Sequence, residues 1–172
     1  MYTQTEAGYE TDKYVFFYGG PFSNWYACSY ESGGERYNCS EQQFIAAKDR
    51  LFNDSDALKV IMGTDDPSVQ KRAGRLVQNY NNEEWEKVRY QVMLEAVKSK
   101  FFQNKKLGKI LLSTKNKTIV EYGPDKIWGC GLYPQDLDIL SQDKWPGTNL
   151  LGKVLMEVRN KLQTDIISGL EN

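Results

Sequence analysis

Residues 83–102, EEWEKVRYQVMLEAVKSKFF, contain the strongest structural signal in the sequence. Their apolar side chains recur every three or four residues, which is the period of an α-helix. The apolar positions are Trp85, Val88, Val92 and Ala96, with Met93, Val97 and Phe101 beside them. A face this broad is typical of a helix that packs into a core. The sequence therefore predicts a long buried helix, with shorter elements on both sides of it.

The shorter elements follow one order along the chain. Strands are expected at 14–18, 25–30, 35–39 and 119–121, and helices from Ser40, after Ser55, from Asp66-Pro67, near 107–112 and over 149–167. Ser40 and Gln43 have the spacing of a capping box. Strands followed by several helices predict the α+β class, with small N-terminal strands and a mostly helical body. We expect a polar leader over residues 1–13 and a single domain over 14–172.

Composition excludes several kinds of chemistry. The sequence contains no histidine, so no mechanism that needs a histidine base or a histidine metal ligand is available. Any proton transfer must use Glu, Asp, Lys, Tyr or Cys. Cys28, Cys39 and Cys130 form no CxxC pair, which argues against a disulfide framework and a structural zinc site. We expect no metal and no cofactor.

Charge and hydropathy restrict the partners and the compartment. The formal net charge is −1, which does not favour nonspecific coating of nucleic acid. The basic stretch 98–109 is more typical of a solvated helix end. No apolar run approaches the roughly 20 residues that span a bilayer. The N-terminus is polar and acidic, unlike a signal peptide, so we expect a cytoplasmic protein without a membrane partner.

Glu41 and Lys48 are the first candidates for chemistry. They are seven residues apart on the helix that starts at Ser40, so they share a face with Phe44 and Ile45. A carboxylate and an ammonium thus flank an apolar stripe, and buried charges are costly unless they are paired or functional. The alternative is that Glu41 interacts favourably with the helix dipole while Lys48 extends to solvent.

Aromatic and glycine-rich loops provide the other candidates. In the segment that contains Asp125, Trp128 and Gly129, the indole suits stacking on a base and the glycine N–H groups suit a phosphate. Ser23 and Asn24 suit sugar hydroxyls. Each segment also has a structural interpretation, because both patterns are common in ordinary turns, and Trp85 has the alternative role of packing in the core.

The order of short motifs along the chain resembles the NADAR (YbiA-like) family over about residues 14–163. The matching blocks are FFYGGPFSNWY (16–26), SEQQFIAAK (40–48), GRLV (74–77), W-x-x-x-R (85–89), VM-x-x-A-x-x-x-KF (92–101), IVE–D–IWG-x-G (119–131) and W-x-G-x-NLLG-x-x-LM-x-VR (145–159). Each block alone is weak, but their order and spacing together are specific. Where members often carry His or Tyr, this chain has Gln42 and Gln43.

The resemblance implies an N-glycosidase with an α+β fold. Members are similar to enzymes that act on ribosylamino-pyrimidine phosphates of the riboflavin pathway, and others remove ADP-ribose from guanine in nucleic acid. The catalytic residues that it implies are Glu41, Lys48 and Asp125, without a metal. The substrate-binding set is Phe22, Ser23, Asn24, Trp25, Arg75, Trp85, Trp128, Gly129 and Asn149.

The implied chemistry fits a chain without histidine. Glu41 stabilises positive charge at C1′ or acts as the acid and base, and Lys48 forms a Schiff base with the opened sugar. The expected partner is a substrate that contains ADP-ribose, including ADP-ribosylated guanine in nucleic acid. The alternative function is a module that binds ADP-ribose or a nucleotide without turnover.

Overall fold

The computed structural model describes residues 3–170, with residue 170 described by its backbone only. The strands are β1 (Thr3–Gln4), β2 (Tyr9–Glu10), β3 (Tyr14–Phe17), β4 (Tyr30–Ser32), β5 (Glu35–Tyr37) and β6 (Thr118–Glu121). The helices are α1 (Ser40–Leu51), α2 (Ser55–Met62), α3 (Pro67–Arg75), α4 (Asn82–Gln103), α5 (Lys105–Ser113) and α6 (Leu150–Leu170). The described residues divide into two compact units. The first comprises the residues up to Ser23 and from Lys105 onward, and the second is Asn24–Asn104.

The first unit is built on a four-stranded sheet in the order β1-β2-β3-β6. The first three strands are antiparallel, and β3 pairs in parallel with β6, with Val15 opposite Ile119. Because strand side chains alternate between faces, Val15, Phe17 and Ile119 share one buried face. Helices α5 and α6 pack together in this unit, and α6 also lies against β6.

The second unit is a helical cluster with one hairpin. Helix α1 packs against α2, α3 and α4, and β4 and β5 form the antiparallel hairpin. Capping groups fix where two of the helices begin. Asp66 caps α3, in which Pro67 occupies the first turn, and the Asn81 side chain accepts hydrogen bonds from two N–H groups at the start of α4.

The predicted α+β class is confirmed, with small strands near the N-terminus and six helices among the described residues. The capping box is wrong: Ser40 lies inside the first turn of α1, Cys39 is the N-cap, and the Gln43 amide donates to Ser32 instead. The strand expected at 25–30 begins only at Tyr30.

The part of the predicted leader that the structure describes contains β1 and β2, which pair with the sheet despite their polar sequence. The single domain over 14–172 stays a prediction. Over residues 3–170, no helix has both the length and the apolar character needed to cross a membrane.

Candidate active site

Helix α1 holds Glu41 and Lys48 in the second unit. Glu41 is in the first turn and is only 7% exposed. Its backbone N–H donates to the carbonyl oxygen of Asn24 at 3.0 Å, which fixes the start of the helix to the preceding loop. The neighbouring Gln42 side chain accepts the N–H of Asn38 at 2.8 Å. The carboxylate of Glu41 is therefore held on a fixed stretch of backbone and mostly removed from water.

Lys48 is half-buried, and its ammonium has two neutral partners. The Nζ atom donates to the carbonyl oxygen of Gly74 at 2.7 Å and lies 4.2 Å from the centre of the Tyr80 ring. No carboxylate within residues 3–170 forms an ion pair with it. Desolvation lowers the pKa of Lys48 below its usual value, and the adjacent Asp49 opposes this shift. A lysine in such a setting releases a free amine more readily than one in water.

An aromatic pair lies on the same side of α1 as these two residues. The Phe44 and Trp85 rings are 4.9 Å apart and tilted by 57°. Trp85 is 6% exposed, so it packs as a core side chain against Phe44. Glu41 and Lys48 are separated by about 10 Å along the helix axis, at 1.5 Å per residue. The side chains of Phe44 and Ile45 lie between them on this face.

Three predicted ligands lie elsewhere in the second unit. Asn24 is buried, and its Oδ1 atom has no hydrogen-bond partner among the described residues. Trp25 is 44% exposed, and the Nζ atom of Lys71 lies 5.5 Å from its ring centre. Arg75 is exposed at the last position of α3, directly after the glycine that binds Lys48. Asn24 and Arg75 thus keep hydrogen-bonding capacity for a ligand.

In the first unit, Asp125 organises the loop that follows β6. Its Oδ1 atom accepts the N–H groups of Ile127 at 2.7 Å and Trp128 at 2.8 Å. The side chain is exposed, whereas Trp128 is half-buried and Gly129 is buried. The Gly129 carbonyl accepts the N–H of Asn149 at 3.0 Å. The carboxylate of Asp125 therefore fixes the backbone next to the indole of Trp128.

The remaining predicted ligands of the first unit have strong internal contacts. Phe22 is 1% exposed and makes an edge-to-face contact with Phe17 at 5.6 Å. The Ser23 N–H donates to the Gly20 carbonyl at 3.0 Å. The Asn149 side chain donates to the Ile119 carbonyl at 2.9 Å and accepts the Glu121 N–H at 3.1 Å. The amide of Asn149 thus connects α6 to β6, and its role as a substrate ligand stays a prediction.

Two buried charged groups in the second unit were not predicted. Asp49 is fully buried, both its carboxylate oxygens lack a hydrogen-bond partner among the described residues, and desolvation raises its pKa to about 7. Lys100 is 1% exposed, its Nζ atom lies 5.4 Å from the Tyr26 ring centre, and desolvation lowers its pKa to about 8. The helical period contained the signal, because Asp49 follows Ile45 by four residues and Lys100 follows Ala96 by four.

Comparison with known proteins gives one consistent result. The NADAR domain model matches residues 15–163. A protein of Acanthamoeba polyphaga mimivirus named N-glycosidase is 43% identical over 168 residues, which cover 90% of this chain and 99% of that protein. N-glycosidase YbiA of Escherichia coli is 33% identical over 144 residues, which cover 83% of this chain and 81% of YbiA. A riboflavin biosynthesis protein of Vibrio vulnificus is 30% identical, but the match covers 36% of its length.

A solved structure shows the same fold. The NMR structure of YbiA from E. coli superimposes with a TM-score of 0.76 at 30% identity, over 95% of this chain and 93% of that one. A TM-score and coverage of this size mean that the elements of both units have counterparts in YbiA. The candidate residues therefore lie in a shared architecture.

Proposed function

This chain belongs to the NADAR domain family and is an N-glycosidase, a hydrolase of N-glycosyl bonds; we propose that its substrate is ADP-ribosylated guanine in nucleic acid. The reaction breaks the bond between C1′ of the ribose and the guanine nitrogen, and it releases ADP-ribose and the unmodified base. The setting of Lys48 supports cleavage by an amine nucleophile, because its ammonium contacts a carbonyl oxygen and an aromatic ring and burial lowers its pKa.

The proposed reaction proceeds in two stages. As the C1′–N bond breaks, Glu41 donates a proton to the leaving guanine nitrogen and the Lys48 amine bonds to C1′. The ring oxygen then leaves C1′ as a hydroxyl and the lysine nitrogen loses its proton, which produces a Schiff base. Glu41, which is now a carboxylate, takes a proton from a water molecule, and the oxygen of that water adds to C1′. The amine then leaves, and the sugar closes again as free ADP-ribose.

The placement of Glu41 supports its proposed role as the acid and base. A carboxyl group that is 7% exposed has little water around it, so proton transfer is directed to the ligand rather than to solvent. Asp125, the third residue that the resemblance implies, holds the loop of Trp128 in the first unit, and its catalytic role stays a prediction. We propose that Trp85 contacts a base or the ribose and that Arg75 contacts a phosphate. The substrate contact of Trp128 stays a prediction from the family resemblance.

A second substrate class has support from one relative. The protein named for riboflavin biosynthesis favours a ribosylamino-pyrimidine phosphate, whose C1′–N bond the same residues would break. The match covers only 36% of that protein, so we keep ADP-ribosylated guanine, which the family resemblance implies, as the first proposal.

The decisive test uses an oligonucleotide that contains one ADP-ribosylated guanine. We expect the protein to release ADP-ribose, and borohydride added during turnover to trap a sugar adduct on Lys48. Lys48→Ala and Glu41→Gln should each lose at least a hundredfold in rate. Lys59→Ala is the matched control, because that lysine lies on α2 with a side chain that is 78% exposed.

Each outcome separates the alternatives. Binding of ADP-ribose without its release from the oligonucleotide would reject ADP-ribosylated guanine as the substrate. Release from a ribosylamino-pyrimidine phosphate but not from modified guanine would favour the riboflavin intermediate. Full activity in both Lys48→Ala and Glu41→Gln would reject the proposed mechanism.

A further inference from the structure

A row of side chains crosses one face of the sheet in the first unit. Gln4 is paired with Tyr9 across β1 and β2, and Tyr9 is paired with Phe16 across β2 and β3. Directly opposed residues of neighbouring strands point to the same face of a sheet. Phe16 is in turn opposite Val120, and Tyr122 follows Val120 by two residues, so it continues the same face. The row thus connects an amide and several aromatic rings.

This face forms a cavity of about 430 Å³, lined by Gln4, Tyr9, Phe16, Tyr122 and Pro134. The volume falls within the range of small-molecule sites, roughly 300–1,000 Å³. None of the five lining residues is charged. Phe16 is 1% exposed and forms the floor, whereas Tyr9 is 42% exposed at the rim. A flat uncharged ring fits such a lining better than a phosphate does.

A ring stack and a close backbone approach hold parts of the cavity lining in place. The Tyr122 ring is stacked on Tyr18, with ring centres 5.6 Å apart and planes 25° from parallel. The β1–β2 hairpin lies close to β3 at Gly8. A Cβ atom added to this glycine would clash with the carbonyl oxygen of Phe16. The φ of Gly8 is also positive, at 142°. The hairpin that presents Gln4 and Tyr9 therefore depends on a position that only glycine tolerates.

We propose that this cavity binds a nucleobase, which stacks on Tyr9 and Tyr122 while the Gln4 amide hydrogen-bonds to its edge. The choice of a nucleobase among flat rings rests on the proposed function, whose substrate carries bases beside the one that is cleaved. Stacking on aromatic rings tolerates any base, and an amide offers both a donor and an acceptor. The pocket would take a base of the substrate other than the guanine under attack.

The test measures base binding separately from catalysis. Adenosine is titrated into the full chain with Lys48→Ala while amide resonances are followed by NMR. We expect shifts at the Gln4 side-chain amide and at the backbone amides of Tyr9 and Tyr122. Tyr9→Ala should weaken adenosine binding about tenfold, because one stacking ring is lost. Tyr9→Phe should retain binding, since the ring is kept.

Tyr133→Ala is the matched control, because Tyr133 is 43% exposed and does not line the cavity. It should leave adenosine binding unchanged. An absence of shifts at Gln4 and Tyr9, or equal adenosine affinity in Tyr9→Ala and the parent, would overturn the pocket. A protein that binds adenosine there but releases no ADP-ribose from modified guanine would reject the proposed function instead, so the two failures are distinguishable.

Discussion

Gly74 and Ile45 are packed so closely that a Cβ atom on Gly74 would lie 2.4 Å from Cγ2 of Ile45. Carbon atoms without a bond between them do not approach that closely, so helices α1 and α3 reach this separation only because residue 74 has no side chain. The Gly74 carbonyl oxygen is also the acceptor for the Lys48 ammonium at 2.7 Å. The same residue thus sets the helix separation and the hydrogen bond of the proposed nucleophile.

Gly74→Ala should therefore lower both stability and activity. The added methyl group must push α3 away from α1, and overpacking of this kind costs about 1–3 kcal/mol. We expect that loss in urea unfolding, together with slower release of ADP-ribose. Adding Ile45→Ala to Gly74→Ala should recover part of the lost stability and activity, because the Ile45 atoms that clash with the new methyl group are removed.

The control for this prediction is Gly169→Ala, a helical glycine with no atom within 4 Å of its added Cβ. There alanine should be neutral or stabilising by roughly 0.5–1 kcal/mol. Equal effects of the two substitutions would contradict the packing argument for Gly74.

Asp49 should make stability depend on pH. Its pKa is about 7 in the fold because burial disfavours the charged form, and it is close to 3.8 in an unfolded chain. Between these two values the folded state holds a proton that the unfolded state has lost, so stability falls as pH rises from about 4 to 7. Well above pH 7 the carboxyl group is ionised in both states, so the unfolding free energy no longer changes with pH.

Asp49→Asn removes the charge while it keeps the shape. Its unfolding free energy should not fall with pH in this way and should exceed that of the parent at pH 8 by about 4 kcal/mol, since each pKa unit corresponds to about 1.4 kcal/mol. Asp56→Asn is the control, since that carboxylate is 90% exposed in its side chain. Parallel pH curves for the parent and Asp49→Asn, measured by urea unfolding from pH 4 to 8, would disprove the assignment.

Local periodicity explains what the sequence predicted well. The long helix α4 and the placement of Glu41 and Lys48 on one face of α1 depend only on residues a few positions apart. The parallel pairing of β3 with β6 joins residues about a hundred positions apart, and no short pattern encodes it. The strands β1 and β2 have only two residues each, and pairing within the sheet that contains β3 stabilises them. The β propensity of residues 3–10 therefore did not predict them.

The candidate site was predicted unevenly for a related reason. A motif names residues but not the partners that surround them. Neither the Gly74 carbonyl beside Lys48 nor the backbone contacts of Asn149 follow from spacing, because both are set by elements distant in sequence. The buried Asp49 was overlooked since an aspartate in a helix is usually on the solvent side.

Asn149 should matter for folding more than for binding. Its side chain satisfies the Ile119 carbonyl and the Glu121 N–H, and its φ is 50°, a left-handed conformation. Asn149→Ala should lose about 2–4 kcal/mol of unfolding free energy, because two backbone groups lose their partners and alanine is strained at this φ. Asn149→Gly loses the same bonds without the strain and should be about 1 kcal/mol more stable than the alanine variant.

The readouts for Asn149 are thermal unfolding and the Michaelis constant at a temperature where each variant is folded. Asn160→Ala, an exposed position on α6, is the control for a lost asparagine side chain. An unchanged melting temperature with a strongly raised Michaelis constant would reverse our interpretation and make Asn149 a substrate ligand.

Two substitutions of Asp125 distinguish a structural role of its side chain from a catalytic one. Its Oδ1 atom accepts two backbone N–H groups, and an asparagine carbonyl oxygen accepts the same bonds without a charge. If Asp125 only holds the loop of Trp128, Asp125→Asn should retain activity within about threefold, whereas Asp125→Ala should lose most of it. Trp128 fluorescence should change in the alanine variant alone, since only there does the loop lose its acceptor. Loss of turnover by a hundredfold in Asp125→Asn with normal fluorescence would instead mean that the carboxylate charge itself takes part in breaking the C1′–N bond.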